Sequence, residues 1–300
     1  MTERPTEARH THAAGLHAAA APEVLDRLLS AQLAALACVR PAFAAIEASA
    51  DAAAAALRTG HRVAYAGAGS AGLMALADCL ELAGTFGIPP DRTPMLFAGG
   101  AASLLHMQGG VEDDRSLAVG DLDRAGIRAG DVVICVSASG STPYTLAVAE
   151  GAKARGAHVV GVANSAAALL LAASDIAILL DTGPEVIAGS TRMAAATAQK
   201  AALNMLSVLV GVRLGHVHDG YMVNLVADNA KLVDRAARIV GAVSGATPDA
   251  SRDALTAADG AVKPAILIAA GASPAAARSA LNASDGHLAP ALATLSNQST

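Results

Sequence analysis

The sequence predicts an α/β fold: a parallel sheet of about five strands flanked by helices, with a helical C-terminal extension. Three observations carry this. Between residues 61 and 181, apolar runs of about five to seven residues alternate with helical stretches. The runs are continuously apolar rather than alternating, as in strands covered on both faces. After Asp181 the runs stop and only helical texture remains.

Taken in order, residues 1–20 are a polar, His-bearing arm. From Pro22 to about Arg58 an Ala/Leu-rich stretch reads as one or two helices, interrupted at Pro41 and stopped near Gly60. Arg62–Ala66 is the first strand, and a helix over about 71–83 follows it directly. Pro94–Ala98 and Asp131–Ser137 are the second and third strands, and a helix from Pro143 to Arg155 follows the latter. His158–Ala163 and Asp175–Leu180 are the fourth and fifth. Long helices are expected over Thr191–Leu214 and Tyr221–Val240, then a linker at Gly245–Pro248. Residues 250–300 read as a small three-helix module broken at Gly260, Gly271 and Asp285-Gly286. The domains are therefore expected at 1–60 (arm and helices), 61–243 (sheet with long helices) and 250–300.

The chain has 300 residues, 53% hydrophobic and 16% charged, enough apolar material for a core and too little charge for a disordered chain. Aromatics are 2%, with no Trp, which argues against stacking on nucleic-acid bases. A net charge of −5 removes any global attraction to nucleic acid or anionic lipid. No uninterrupted apolar run reaches about 18 residues, so no membrane span is expected. The three cysteines, Cys38, Cys79 and Cys135, have neither framework nor zinc spacing and read as reduced thiols. With a polar N-terminal segment, this points to a cytoplasmic protein.

Two loops carry the chemistry. Gly67-Ala-Gly69-Ser70-Ala-Gly72 leaves a strand and opens a helix. It is one residue short of a dinucleotide fingerprint, and the next strand ends in Ala98-Gly99-Gly100 without a ribose-binding carboxylate. No nicotinamide or other cofactor is expected. The second loop, Ser137-Ala-Ser139-Gly140-Ser141-Thr142-Pro143, places four hydroxyls beside the free amides of a helix N-terminus. That is an anion pocket needing no Lys or Arg. The S-x-S-G-x-T pattern resembles the phosphosugar-binding loop of sugar isomerase (SIS) domains.

Further motifs extend the resemblance: Glu81 nine residues past Gly72, Thr85-Phe86-Gly87-Ile-Pro89-Pro90, Glu112-Asp113-Asp114, and Gly183-Pro-Glu185-Val-Ile-Ala-Gly189-Ser190-Thr191-Arg192-Met193. With Thr6-Glu7-x-Arg9 near the start and Asn229-Ala-Lys231-Leu232 later, the order resembles the N-acetylmuramic acid 6-phosphate etherase family across nearly the whole chain. The resemblance implies a homodimeric lyase that acts on a sugar phosphate. It abstracts the C2 proton, expels D-lactate from C3 and adds water, without metal or cofactor. It implies Glu81 as the acid and Glu112 as the base, with the reverse assignment open. It also implies phosphate and substrate binding by Gly69, Ser70, Ser137, Ser139, Gly140, Ser141, Thr142, Ser190 and Thr191, and dimer surface on helices 191–214 and 221–240. A non-catalytic sugar-phosphate regulator and an aldose–ketose isomerase are the alternative functions.

The sequence departs from the family pattern where Leu73, Ser141 and Ala194 replace cations, and where Ala83-Gly84 replaces Pro-Pro. The histidine pairs His10/His12 and His216/His218 have i, i+2 spacing, which suits no shared ligand face, so no metal site is expected. Asp113 and Asp114 either extend the acidic site or cap a nearby helix. Arg192 and Lys200 either reach the anion or pair with Glu185 or Asp181.

Overall fold

A computed structural model describes residues 7–227 and 229–298, so Thr6 of the N-terminal motif lies outside the described residues. Helices α1 (Ala21–Ala37) and α2 (Phe43–Arg58) are separated by a 3-10 turn at Arg40–Ala42, which carries the helix-breaking Pro41. Then follow β1 (Val63–Gly67), α3 (Gly69–Phe86), β2 (Met95–Phe97), α4 (Gly100–Leu105), α5 (Ser116–Arg124), β3 (Val132–Val136) and α6 (Pro143–Ala154). The sheet is completed by β4 (His158–Ala163), α7 (Leu169–Ala173) and β5 (Ile176–Leu179), and α8 spans Ala194–Arg213. A hairpin of β6 (Val217–His218) and β7 (Tyr221–Met222) precedes α9 (Ala230–Ser244), α10 (Pro248–Ala257), α11 (Val262–Ala269), α12 (Pro274–Ala283) and α13 (Leu288–Gln298).

All five sheet strands are parallel, in the order β2-β1-β3-β4-β5. Tyr65 of β1 pairs with Met95 on one side and Ile134 on the other, and Ile134 pairs with Val160. Every residue of β1 and β3 is buried, which is why these strands are apolar without alternation. The edge between β1 and β3 is pinned by Asp131. Its buried carboxylate accepts the backbone N–H of Arg62 at 2.8 Å and that of Arg128 at 2.9 Å. A second buried carboxyl, Asp78 on α3, accepts from the Tyr65 hydroxyl (2.9 Å), Asn204 (2.7 Å) and Ser207 (3.0 Å). These bonds tie α3 and α8 to the sheet. Burial pushes the Asp78 carboxyl above its ordinary range, although its hydrogen bonds and Lys200 act against the shift.

The chain forms two compact units. One comprises residues up to Cys79 with Asp91–Ser207, and the other Leu80–Pro90 with Val208 onward. These divisions differ from those at 60, 243 and 250 expected from sequence. Helix α9 buries Ala236, Ile239 and Val240 in the same core as Val262, Ile266 and Leu281, so it belongs with the C-terminal helices. The helix expected over Tyr221–Val240 is shorter. Asp219, at φ 47°, and Gly220, at φ 78°, turn the chain into the hairpin, and α9 begins only after Asn229, which caps the Leu232 N–H. The C-terminal segment holds four helices rather than three, because three breaks divide it into four pieces.

Two helical stretches, 21–58 and 194–213, meet the length and hydropathy of a bilayer span, against the expectation of none. The second is mostly buried in the protein, and the first is broken by the turn at Arg40–Ala42. Cys79 and Cys135 are buried thiols whose burial pushes each up to about 12, as expected of inert core cysteines. Replacing Asp131 with Ala leaves two N–H groups at the strand starts without their acceptor. A loss of about 1–3 kcal/mol per donor is expected in urea unfolding, with the far-UV spectrum retained.

Candidate active site

The chain leaves β1 toward β2 on one side and later enters β3 on the other. At such a reversal of strand order the loops after the two strands part and leave a crevice at their carboxyl ends. A cavity of about 460 Å³ lies there. Its walls are Ala68–Ala71 after β1, Ala138, Ser139 and Ser141–Pro143 after β3, Glu112 and Asp113 before α5, Gly189 and Thr191 before α8, and Glu7 of the N-terminal arm.

The hydroxyl loop divides into two roles. Ser137 is buried, accepts the Gly140 N–H at 3.1 Å, and lies 2.9 Å from the Thr142 hydroxyl. It shapes the loop from behind, and neither it nor Gly140 lines the cavity. Ser139, Ser141 and Thr142 do, and the Ser141 hydroxyl donates to Ser139 at 3.1 Å. Helix α6 starts at Pro143, and the Thr142 side chain does not cap it. The first-turn amides, with the positive end of the helix dipole, therefore remain available to an anion.

Glu112 ends a 3-10 turn over Gly109–Glu112 and brings its carboxylate to Gly69. Gly69 has φ 53°, and a Cβ there would stand 2.5 Å from Glu112 Oε1, so only glycine allows this approach. Burial pushes the Glu112 carboxyl above its ordinary range, and the Asp113 charge adds to the shift. The two aspartates serve different ends. Asp113 lines the cavity, while Asp114 accepts the N–H (2.8 Å) and hydroxyl (2.6 Å) of Ser116 at the start of α5.

Glu185, in the Gly183-Pro-Glu185 motif, is buried and accepts the N–H groups of Ala194 and Ala195, each at 2.9 Å. It therefore caps α8 and fixes the loop that supplies Gly189 and Thr191. It does not pair with Arg192 or Lys200, and neither cation lines the cavity. Ser190 is next to the wall but not part of it.

Of the residues predicted from sequence, the cavity gathers Gly69, Ser70, Glu112, Ser139, Ser141, Thr142 and Thr191. Glu81 is not among its walls. It is exposed on α3, twelve residues beyond Gly69 and so about 18 Å along the helix axis. Sequence reasoning assigned no role to Glu7, Met107 or Gly189, which also line the cavity. The only signal for Glu7 was its place in the N-terminal motif. Among the described residues no cluster of three His, Cys, Asp or Glu side chains is placed to hold a metal ion.

Glu185→Ala removes both acceptors at the start of α8. Stability should fall by about 1–2 kcal/mol, the scale of a lost N-terminal cap, with hydrogen exchange faster at the first amides of α8.

Known proteins with a similar sequence or structure identify the fold and the family. The SIS domain family matches residues 32–164. A crystal structure from Bacteroides fragilis, described as a phosphosugar isomerase involved in capsule formation, superposes with a TM-score of 0.54 at 20% identity, over 67% of this chain and 95% of that one. It shares the fold. Closer in sequence is the N-acetylmuramic acid 6-phosphate etherase of Deinococcus radiodurans, 44% identical over 89% of this chain and 88% of the relative. The protein of the same name from Mycolicibacterium smegmatis is 40% identical, over 88% of this chain and 89% of the relative. With the hydroxyl loop, the glycine-seated Glu112 and this likeness along almost the whole length, the chain belongs to the N-acetylmuramic acid 6-phosphate etherase family.

Proposed function

We propose that this protein is a carbon–oxygen lyase that cleaves the D-lactyl ether of N-acetylmuramic acid 6-phosphate, giving N-acetylglucosamine 6-phosphate and D-lactate. The observation that carries the reading is one cavity holding both an amide-and-hydroxyl anion site and a carboxylate with a raised pKa. The phosphate is held by Ser139, Ser141, Thr142 and the α6 amides. In the open-chain sugar the C2 proton is acidic because it neighbours the C1 aldehyde. Glu112 takes that proton, and the electron pair forms the C2–C3 double bond as the C3–oxygen bond breaks. A second acid protonates the departing lactate oxygen, and water then adds at C3. A raised pKa suits this base, since it strengthens the carboxylate as a proton acceptor.

The second acid is assigned to Glu81, contributed by another copy of the chain. Support comes from its exposure and its distance along α3 from Gly69, with no place in its own chain's cavity. The dimer surface is assigned to α1, whose Leu25, Leu29, Leu33 and Leu36 form an exposed apolar stripe at helical spacing. Helix α8, expected from sequence to supply it, buries more than half of its apolar window. Cytoplasmic location and a role in recycling cell-wall amino sugars complete the proposal. The substrate is an intracellular type of sugar phosphate, and the thiols are free.

The direct test is incubation with N-acetylmuramic acid 6-phosphate and assay for free D-lactate; no release above the uncatalysed rate removes the lyase reading. Glu81→Gln and Glu112→Gln should each lower turnover by about 10²–10⁴-fold. Mixing the two variants under conditions of subunit exchange should restore part of the activity, because mixed dimers hold one intact site. A mixture as inactive as its components would place both carboxylates on one chain.

The pH profile gives a further check. Glu112 must be ionised to act, so kcat/KM should fall on the acid side at a pH above the usual carboxylate range. Asp113→Asn removes a negative neighbour, favours the ionised form, and should move that limb to lower pH.

A further inference from the structure

We infer that Glu7 is a specificity-determining residue of the phosphosugar site, its carboxylate accepting a hydrogen bond from an uncharged O–H or N–H group of the sugar. The inference rests on the cavity being the phosphosugar site proposed above.

Four observations converge on it. First, the arm is held in place and does not merely trail past the cavity. Arg27 on α1 donates to the carbonyl oxygens of His12 (3.2 Å) and Ala14 (2.7 Å), and 3-10 turns at Thr11–Ala13 and Leu16–Ala18 shorten the segment between.

Second, the end of this anchored arm brings Glu7 onto the cavity wall beside Gly189. Gly189 has φ 73°, and a Cβ there would stand 2.8 Å from Glu7 Oε2. This repeats the seating of Glu112 on Gly69. Two carboxylates from distant parts of the chain each rest against a left-handed glycine on the same cavity. At Gly189 a side chain would push the carboxylate out of its seat.

Third, among the described residues the cavity wall contains Glu7, Glu112 and Asp113 but no Lys or Arg. The positive ends of α3, at Gly69–Ala71, and of α6 both face the cavity, but the α6 end adds the hydroxyls of Ser139, Ser141 and Thr142, so the dianionic end of a ligand goes there. What faces Glu7 must then be uncharged or cationic, because a second anion would be repelled at close range.

Fourth, among the described residues Glu7 has no ion pair or hydrogen bond of its own, so its oxygens are free to accept from a ligand. Glu7 thus reads the sugar, while the loop reads the phosphate. It also disfavours phosphosugars that present an acidic group at that position.

The test compares wild type, Glu7→Ala, Glu7→Gln and Gly189→Ala by calorimetry with three probes: N-acetylglucosamine 6-phosphate, glucose 6-phosphate and inorganic phosphate. Glu7→Ala should bind at least one of the two sugar phosphates about tenfold or more weakly, the range for a lost charged hydrogen bond, and inorganic phosphate equally well. Loss for the N-acetylated sugar alone assigns the N–H as donor, and equal loss for both assigns a hydroxyl. Glu7→Gln, which keeps an acceptor oxygen, should lie between. Gly189→Ala should mimic Glu7→Ala, and the double variant should lose little more than either alone.

Unchanged affinity for both sugar phosphates in Glu7→Ala overturns the inference. So does parallel weakening of inorganic phosphate, which would make the arm a structural support of the loop. None of these readouts requires turnover. If D-lactate is never released, the lyase reading fails while the role of Glu7 is still decided by binding.

Discussion

The chain crosses the sheet in one direction after β1 and returns on the other side for β3, and the crevice that houses the site follows from that reversal. Strands in the order β2-β1-β3-β4-β5 let the loops after β1 and β3 diverge at one end of the sheet. Two glycine- and serine-rich loops, far apart in sequence, thereby become facing walls. The register that sets their spacing is held by Asp131, whose carboxylate links Arg62 at the start of β1 to Arg128 just before β3. A carboxylate at the closed end of the strands thus governs geometry at the open end.

Around this frame, carboxylates do work that their shared charge would hide in a composition table. Glu185 and Asp114 give up their lone pairs to backbone amides at helix starts, and serve only to fix loops. Asp78 is sunk among Tyr65, Asn204 and Ser207 and locks α3 against the sheet. Glu112 and Glu7, by contrast, reach the cavity without amide partners among the described residues, each against a glycine whose missing side chain makes room. The contrast between amide-satisfied and cavity-facing carboxylates separates scaffold from chemistry.

Much of this was legible in the sequence, and the failures have physical reasons. The five strands could be read because each is a continuous apolar run bounded by turn residues, and His158–Ala163 ends where the sequence places it. The hydroxyl loop could be read because four hydroxyls exceed what one helix cap requires. Its internal division could not, since only the fold shows Ser137 turned inward to Gly140 and Thr142. Helices α4 and α5 span only 6 and 9 residues, too few for a repeating apolar pattern to stand out from loop. The false helix from Tyr221 arose because an apolar stretch carries the same composition in a two-residue strand as in a helix, and the Asp219-Gly220 turn decided the matter. Glu7 escaped because an arm without periodicity gives no hint of where it packs. Glu81 was correctly placed on a helix, but spacing along a chain cannot say which cavity an exposed side chain serves.

The charge of the cavity bears on what kind of protein this is. A binding protein for a dianionic sugar phosphate gains a hydrogen-bond acceptor from Glu7, but Glu112 and Asp113 add only repulsion. Two unit charges 8 Å apart at an effective dielectric of about 20 repel by about 2 kcal/mol. The cavity nonetheless holds Glu7, Glu112 and Asp113, and among the described residues no Lys or Arg lines it. Among the described residues of one chain, the groups that can hold the phosphate are dipoles, set against an adverse field. A sensor would be better served by removing Glu112 and Asp113. An aldose–ketose isomerase needs a base near C1 and C2, but no acid for a leaving group at C3. A lyase needs a strong carboxylate base at C2; burial, with the Asp113 charge added, raises the proton affinity of Glu112, and an acidic wall helps expel an anionic lactate once the ether bond breaks. The cost in ground-state binding then acts in favour of the chemical step and of product release, and on that ground the acidic cavity fits an enzyme better than a receptor.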